Sequence, residues 1–371
     1  MKKHTIRFKD NIYPSYDILI GQDLLPMVLD YVKKHISPGK QAIIADGNVV
    51  KAGYLKQLDP TGKVPKYIVK PDKNGGVESR KNATNLGKMV DFLDGDFEKT
   101  DTAVAFGGGM TGDTVGVVAN GYKRGKMFYI QVPTTPLSQA DSSVGGKCAI
   151  DGEKSKNSFG CFYQPHLVVA DVNTLATVSE EHYRSGLVES VKHGIILDKA
   201  YFEFLEREMP NILKRDKEVL EMIAFKNVQL KGGVVGRDPL EKNERRRLNF
   251  GHTIGHAVEI VSGFTIPHGK AVALGGLSAL YLSHSNGTLS TKDFDRAQDL
   301  LVNGLGMPDK VPSGISWDEV LKRLPSDKKV IGGVPRFVTV DGIGKTHVEN
   351  GQFASPISNK ALKGAMGYIF N

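Results

Sequence analysis

The chain has 371 residues, enough for two domains with cores of their own. It is 40% hydrophobic and 24% charged, a globular balance, and no apolar run reaches the roughly 18 residues needed to span a bilayer. Its two cysteines, Cys148 and Cys161, cannot form a cysteine metal cage or a disulfide framework, and the formal net charge of +8 fits an anionic partner, with no zinc-finger spacing or aromatic-rich RNA-binding motif.

The first residues, "MKKHTIRFKDNIYPSYDILIG", alternate as a strand does and lack the apolar core of a signal peptide, so the cytoplasm is the expected location. "DLLPMVLDYVKKHI" follows as an amphipathic helix, "QAIIADGNV" as a buried strand ending in a polar turn, and "KYIVK" as another strand. "SRKNATNLGKMVDFL" reads as a helix, "TAVAFGGG" as a strand running into "TGDTVGVVANGYKRG" as a helix, and "FYIQVPTT" as a strand. The alternation predicts an open, mainly parallel sheet with helices on both faces. Beyond Thr174, "SEEHYRSGLVESVKHGIIL", "KAYFEFLEREMPNIL" and "KEVLEMIAFKNVQLKGGVV" all have helical spacing, and strand signals nearly vanish until "RFVTVDGIG". The expected division is an α/β domain over 1–176 and a mainly α-helical domain over 177–371, with Ser179 capping the first helix of the second.

Two stretches carry candidate chemistry. In "AVAFGGGMTGD", Gly107, Gly108 and Gly109 end a strand and open a helix, which is either a tight turn or a place where backbone N–H groups meet a diphosphate. It is neither G-x-G-x-x-G nor a Walker A loop. Asp46 and Asn48 of "ADGNV" are ribose partners or an Asx turn. In "LNFGHTIGHAVEIVSGFTIPHGKAVALGG", His252 and His256 lie four apart on one helical face, and His268 follows a turn. With Glu189 of "GLVESVKHG", two histidines and a carboxylate make a usual catalytic zinc set, although helical histidine pairs also occur without metal. Lys192 lies one turn after Glu189. Lys147, Lys156, Asn157, Lys231, Arg245 and Asn249 are ordinary surface residues one by one. As a set they fit a substrate with more than one negative group.

These residues, with the ordered segments "AFGGGMTGD", "YKRG", "QVPTT", "QADSSVGGK", "SKNSFGCFYQP", "GLVESVKHG", "LNFGHTIGHAVE", "HGKAVALGG" and "DKK", resemble the 3-dehydroquinate synthases of the sugar phosphate cyclase group. The resemblance implies a dehydroquinate synthase-like fold, with an α/β nucleotide-binding domain and a helical metal-binding domain, in a homodimer with no nucleic-acid or membrane partner. It implies NAD and a divalent metal, zinc or cobalt. The implied reaction turns 3-deoxy-arabino-heptulosonate 7-phosphate into 3-dehydroquinate and phosphate by transient oxidation, β-elimination, reduction and intramolecular aldol closure. By resemblance, Glu189, His252 and His268 are metal ligands and His256 a substrate contact. Asp141, Lys147, Asn157, Lys192, Lys231, Arg245 and Asn249 become substrate partners, with Glu241 orienting that group. Arg124 reaches the phosphate across the dimer, and Lys328 or Lys329 lies near the same group. Asp46, Asn48, Glu78, Lys81, Gly108, Gly109, Asp113, Thr134, Thr135, Lys156 and Thr174 become NAD contacts.

Two positions depart from the pattern. Pro136 stands where the family usually has leucine, which is expected to change the turn. Lys270 follows "HG" where the family generally has glutamate, which is expected to alter metal choice or the hydrogen bonding around His268. Competing readings are a cyclase making amino-dehydroquinate, 2-deoxy-scyllo-inosose or valiolone-type rings, a metal- and NAD-dependent polyol dehydrogenase, and a non-catalytic nucleotide-binding scaffold.

Overall fold

The structure is a computed structural model that describes residues 1–73, 75–153, 155–324 and 335–370. The chain forms two compact units, Met1–Val178 with Arg215–Gly236, and Ser179–Lys214 with Arg237–Asn371. The first crossing falls two residues beyond the division expected at 176/177. Residues 215–236 return to the first unit, which a single cut in the sequence does not provide for.

Among the described residues, the first unit has nine strands: β1 (Lys2–Ile6), β2 (Tyr16–Gly21), β3 (Gln41–Asp46), β4 (Lys66–Val69), β5 (Thr102–Gly107), β6 (Phe128–Pro133), β7 (Lys147–Ile150), β8 (Phe159–Phe162) and β9 (Leu167–Asp171). Seven form one sheet in the order β1-β2-β9-β6-β5-β3-β4, parallel except for β1 against β2. Helices α1 (Val28–His35), α2 (Gly47–Lys51), α3 (Tyr54–Leu58), α4 (Ala83–Leu93) and α5 (Gly109–Gly121) connect them.

Both faces of the central strands are covered, which is why they read as unbroken apolar runs. Ile43 and Ala45 of β3 join a core with Val28, Val32, Val104 and Val132, while Ala42 and Ile44 join one with Met89, Leu93, Val115 and Tyr129. A third core sets Ile6, Ile18, Val168 and Ala170 against Ala224, Val228 and Val235 of α8 (Lys217–Arg237). β4 lies on one side of β3 and β5 on the other, so the chain reverses direction across the sheet there. The carboxyl ends of two such strands form the usual ligand crevice of an open α/β sheet. Asp46 and Gly107 are the residues at those ends.

Composition and period did not anticipate the antiparallel β7–β8 pair, where Cys148 and Cys161 stand directly opposite each other as free thiols. Pro136 is buried at the first helical position after Thr135, where proline's fixed φ suits a helix start. The Thr135 hydroxyl accepts from the Ser138 N–H at 3.2 Å, and the Thr135 N–H donates back to the Ser138 hydroxyl at 3.1 Å. The proline therefore sits in a capped turn.

The second unit is mainly helical: α6 (Glu180–Leu197), α7 (Lys199–Leu213), α9 (His252–Val261), α10 (His268–Ser285), α11 (Thr291–Asp299), α12 (Trp317–Arg323) and α13 (Asn359–Phe370). Ser179 caps α6, with Glu180 and Glu181 in its first turn as the sequence predicts. "RFVTVDGIG" carries two short strands. β10 (Arg336–Phe337) pairs with β13 (Ser355–Pro356), and β11 (Val340–Gly342) pairs with β12 (Lys345–Thr346). Among the described residues, no helix is long and apolar enough to cross a membrane.

Candidate active site and metal centre

On the first unit, Gly108 is the N-cap of α5 and Gly109 its first residue. A Cβ on Gly107 would lie 2.6 Å from the Thr111 hydroxyl and 2.9 Å from the Asp46 Cβ, so only glycine lets strand, turn and helix approach this closely. Asp46 caps α2 by accepting from the Asn48 N–H at 2.8 Å, and burial pushes its carboxyl above the usual range. The Asx turn is therefore present, and the same carboxylate ends β3 beside the glycine turn. Asn48 is exposed and donates to the Gly75 carbonyl at 3.0 Å.

Lys81 is buried, 2.6 Å from the Asp113 carboxylate, and donates to the Asn157 side-chain carbonyl at 2.7 Å. Burial pulls its ammonium down, but Asp113 and Glu78 outweigh this and hold it above its ordinary value. Lys156 lies 3.6 Å from Glu78. The Thr134 N–H donates to the Gly107 carbonyl at 3.0 Å. Thus most of the nucleotide candidates cluster round the β5–α5 turn. Thr174 is buried and donates to the Asp171 carbonyl at 2.7 Å. Lys231, on α8, reaches Asp141 twice, at 2.7 Å to its carbonyl and 2.9 Å to its carboxylate. Lys147 starts β7 on the exposed side. Arg124 is exposed in a left-handed turn after α5, at φ 56°. Lys328 and Lys329 lie outside the described residues.

On the second unit, three helices meet through glycine. A Cβ on Gly269 of α10 would lie 1.9 Å from the Ser185 carbonyl of α6, and one on Gly275 would lie 1.8 Å from the Gly251 carbonyl at the head of α9. Backbone contact therefore brings Glu189, His252, His256 and His268 together. The ring centroids of His252 lie 5.1 Å from His256 and 5.5 Å from His268, and the three histidines present ring nitrogens within 4.8 Å of one another.

The His252 Nδ1 lies 3.0 Å from the Phe250 carbonyl. A carbonyl only accepts, so Nδ1 carries the proton and the Nε2 lone pair is left for another partner. That Nε2 is 3.6 Å from the Glu189 Oε1, and the His268 Nε2 is 3.7 Å from the same oxygen. Two ligands on one tetrahedral zinc, each about 2.0–2.2 Å from it, lie roughly 3.3–3.6 Å apart. The two separations lie at the upper edge of that spacing and slightly beyond it, so Glu189, His252 and His268 are near enough for one ion to draw them together. Burial lowers the His268 imidazole, but hydrogen bonds to Glu189 and Glu259 outweigh it and push it up to about 9.

Lys192 contacts the Glu189 carboxylate, both side chains being almost wholly buried. Arg245 is 2% exposed and donates to the Pro239 carbonyl at 2.6 Å. Asn249 donates to the Glu241 carboxylate at 2.7 Å. Lys270 turns to Glu181, at 2.5 Å, so its reversed charge is answered by an acid on α6. Sequence reasoning missed Glu259 and Asp238. Glu259 lies seven residues after His252, two helical turns along the same face, which is the signal that points to it.

The profile for the 3-dehydroquinate synthase N-terminal region matches residues 73–185, and that for the C-terminal region matches residues 186–330. The chain belongs to the 3-dehydroquinate synthase family. It is 38% identical over 354 residues to a 3-dehydroquinate synthase of a serogroup C Neisseria meningitidis strain, covering 94% of this chain and 95% of that one. It is 39% identical over 352 residues to that of Pelobacter propionicus, covering 93% and 95%. Among solved structures, a 2-deoxy-scyllo-inosose synthase complexed with carbaglucose-6-phosphate, NAD+ and Co2+ superposes with a TM-score of 0.84 at 26% identity, over 98% of this chain and 99% of that one. A 2-epi-5-epi-valiolone synthase from Streptomyces hygroscopicus, with NAD+ and Zn2+ bound, has the same fold at a TM-score of 0.84 and 24% identity, over 98% and 99%. Membership of the family agrees with the resemblance read from the motifs.

Proposed function

We propose that this chain converts 3-deoxy-arabino-heptulosonate 7-phosphate to 3-dehydroquinate and phosphate, using NAD and a divalent metal. The observation that carries this is the near full-length likeness to 3-dehydroquinate synthases. The geometry supports it: a bare glycine turn opens α5 on the first unit, and His252, His256 and His268 come together near Glu189 on the second. When bound, NAD supplies a reversible hydride acceptor and the metal a Lewis acid that lowers the proton affinity of a ligated hydroxyl.

The chain's own residues bind, orient and balance charge. The α5 N-terminus and the bare turn at Gly107–Gly109 receive a diphosphate, and Asp46 accepts from a ribose hydroxyl. Lys81, fixed by Asp113 and Asn157, places one more cation beside that turn. Glu189, His252 and His268 are the metal ligands in this reading, with His256 left to the substrate. Lys147, Lys192, Lys231 and Arg245 are the partners of carboxylate, hydroxyl and phosphate oxygens that the family resemblance implies, Arg245 taking the bidentate partner. Much of the rate enhancement then comes from positioning and from fixed charge. Homodimerisation through the face that carries Arg124 belongs to the same reading, and sedimentation of the purified chain tests it.

The reaction itself is tested with the heptulosonate phosphate, catalytic NAD and zinc or cobalt, following phosphate, dehydroquinate and the nicotinamide absorbance. Equal release of the two products without NADH build-up is expected, and Arg245→Ala should abolish it while metal and NAD still bind. NADH rising in step with product would instead make the protein a polyol dehydrogenase. Turnover of glucose 6-phosphate, which has no carboxylate, with none of the heptulosonate would make it an inosose-type cyclase.

A further inference from the structure

We propose that Glu259 is a positioning residue of the metal centre, setting both the orientation of His268 and the charge of the donor group. The inference rests on the metal assignment above. Glu259 lies on α9, is 3% exposed, and its Oε2 sits 3.3 Å from the His268 Nδ1. His268 is the first residue of α10, on the far side of the α9–α10 turn. The contact therefore ties the ring of one ligand to the helix that carries the other.

His252 and His268 are anchored alike in geometry but not in charge. Each gives its Nδ1 to an oxygen and turns its Nε2 to the Glu189 Oε1. For His252 the anchor is the neutral Phe250 carbonyl, whereas for His268 it is a carboxylate. A carboxylate behind a ligating imidazole fixes its tautomer and raises its basicity toward the ion. Charge gives Glu259 a second role. Lys192 contacts Glu189, so those two side chains cancel in the formal count. With the imidazoles neutral, as metal ligands must be, Glu259 leaves these side chains with one net negative charge, which favours a dication. Lys270 makes this more pointed, since it lies two residues from His268 and pairs outward with Glu181 rather than with Glu259.

The test measures divalent metal binding to the metal-free protein. Zinc affinity is read by competition with a chelator of known strength, and the visible absorption of the cobalt form is recorded. The variants are Glu259→Gln, which keeps shape and removes charge, Glu259→Asp, and Glu189→Ala as a ligand control. Glu259→Gln should bind zinc about 10- to 100-fold more weakly and change the cobalt bands, with NAD binding unaltered. Glu259→Asp should recover part of the loss. Wild-type zinc affinity and wild-type cobalt bands in Glu259→Gln would overturn the proposal, as would a lower melting temperature of the metal-free variant with unchanged affinity, which is a packing role. If Glu259→Gln weakens zinc but Glu189→Ala does not, the ligand set fails while the role of Glu259 stands. A wild-type chain that takes up neither metal overturns both.

Discussion

Asp238 gives its carboxylate to the backbone. It accepts from the N–H groups of Lys242, Asn243 and Arg245 at 2.8, 2.8 and 3.0 Å, and so folds the loop that presents Glu241 and Arg245. Burial pushes its carboxyl up, but these three bonds and the Arg245 charge outweigh it, and the group sits below the usual carboxylate range. Asp238→Ala leaves three donors without this acceptor and should cost about 2–3 kcal/mol in denaturant melts at pH 7. The sign of the pH dependence follows from the lowered value. On acidification the unfolded chain takes the proton first, near its ordinary value of about 3.9, so the stabilisation is whole above that pH and fades as pH falls through the folded value. The gap between wild type and variant should therefore begin to narrow as the melts are taken below about pH 4. A gap that stays constant down to pH 2.5 would rule this account out. Lys270 invites a different experiment. Its pair with Glu181 is part-exposed, so a double-mutant cycle with Lys270→Ala and Glu181→Ala should give a coupling of only about 0.2–1 kcal/mol. A larger coupling would mean that the pair also holds α10 in place.

Between elements, glycine decides how near α6, α9 and α10 come. Gly269→Ala must push α10 off α6, because the Ser185 carbonyl lies 1.9 Å from the added carbon, and the Gly269 N–H would lose the Ser185 hydroxyl at 3.1 Å. Overpacking of this kind costs about 1–3 kcal/mol or more, and zinc affinity should fall with stability because His268 moves too. Gly87, inside α4, meets nothing within 4 Å where a Cβ would stand, so Gly87→Ala should stabilise by roughly 0.5–1 kcal/mol. Opposite signs for these two substitutions, read in the same melts, test the packing argument. They also mark what a sequence can disclose. The strand and helix runs were legible because their period and burial agree, and "GHTIGHAVE" disclosed its histidines through their spacing. It did not disclose that Glu259 would face His268, since that depends on the close approach of α9 and α10 through Gly251 and Gly275. The β7–β8 pair was hidden for a related reason: its strands are four residues long and β8 has no buried residue, so no alternation had room to register.

At the scale of the whole chain, the segment 215–236 carries the strongest consequence. α8 has the helical spacing of its neighbours, and nothing in that spacing says which core it will join. It supplies Ala224, Val228 and Val235 to the sheet core that also holds Ile6, Ile18 and Val168, all of them buried. A fragment ending at Val178 therefore lacks one wall of that core and should expose contiguous apolar surface. The return point is held close to the departure point, because the Arg215 guanidinium donates to the Leu175 and Ala176 carbonyls at 3.0 and 2.7 Å. A short Gly-Ser linker in place of residues 179–214, on a chain ending at Gly236, should consequently complete the first unit. We expect the spliced chain to be soluble, to melt cooperatively and to bind NAD, whereas the 1–178 fragment should bind a hydrophobic dye and aggregate. A 1–178 fragment that melts as sharply as the spliced chain would show that α8 merely rests on a core already closed, and the two-segment description of the first unit would have to be abandoned.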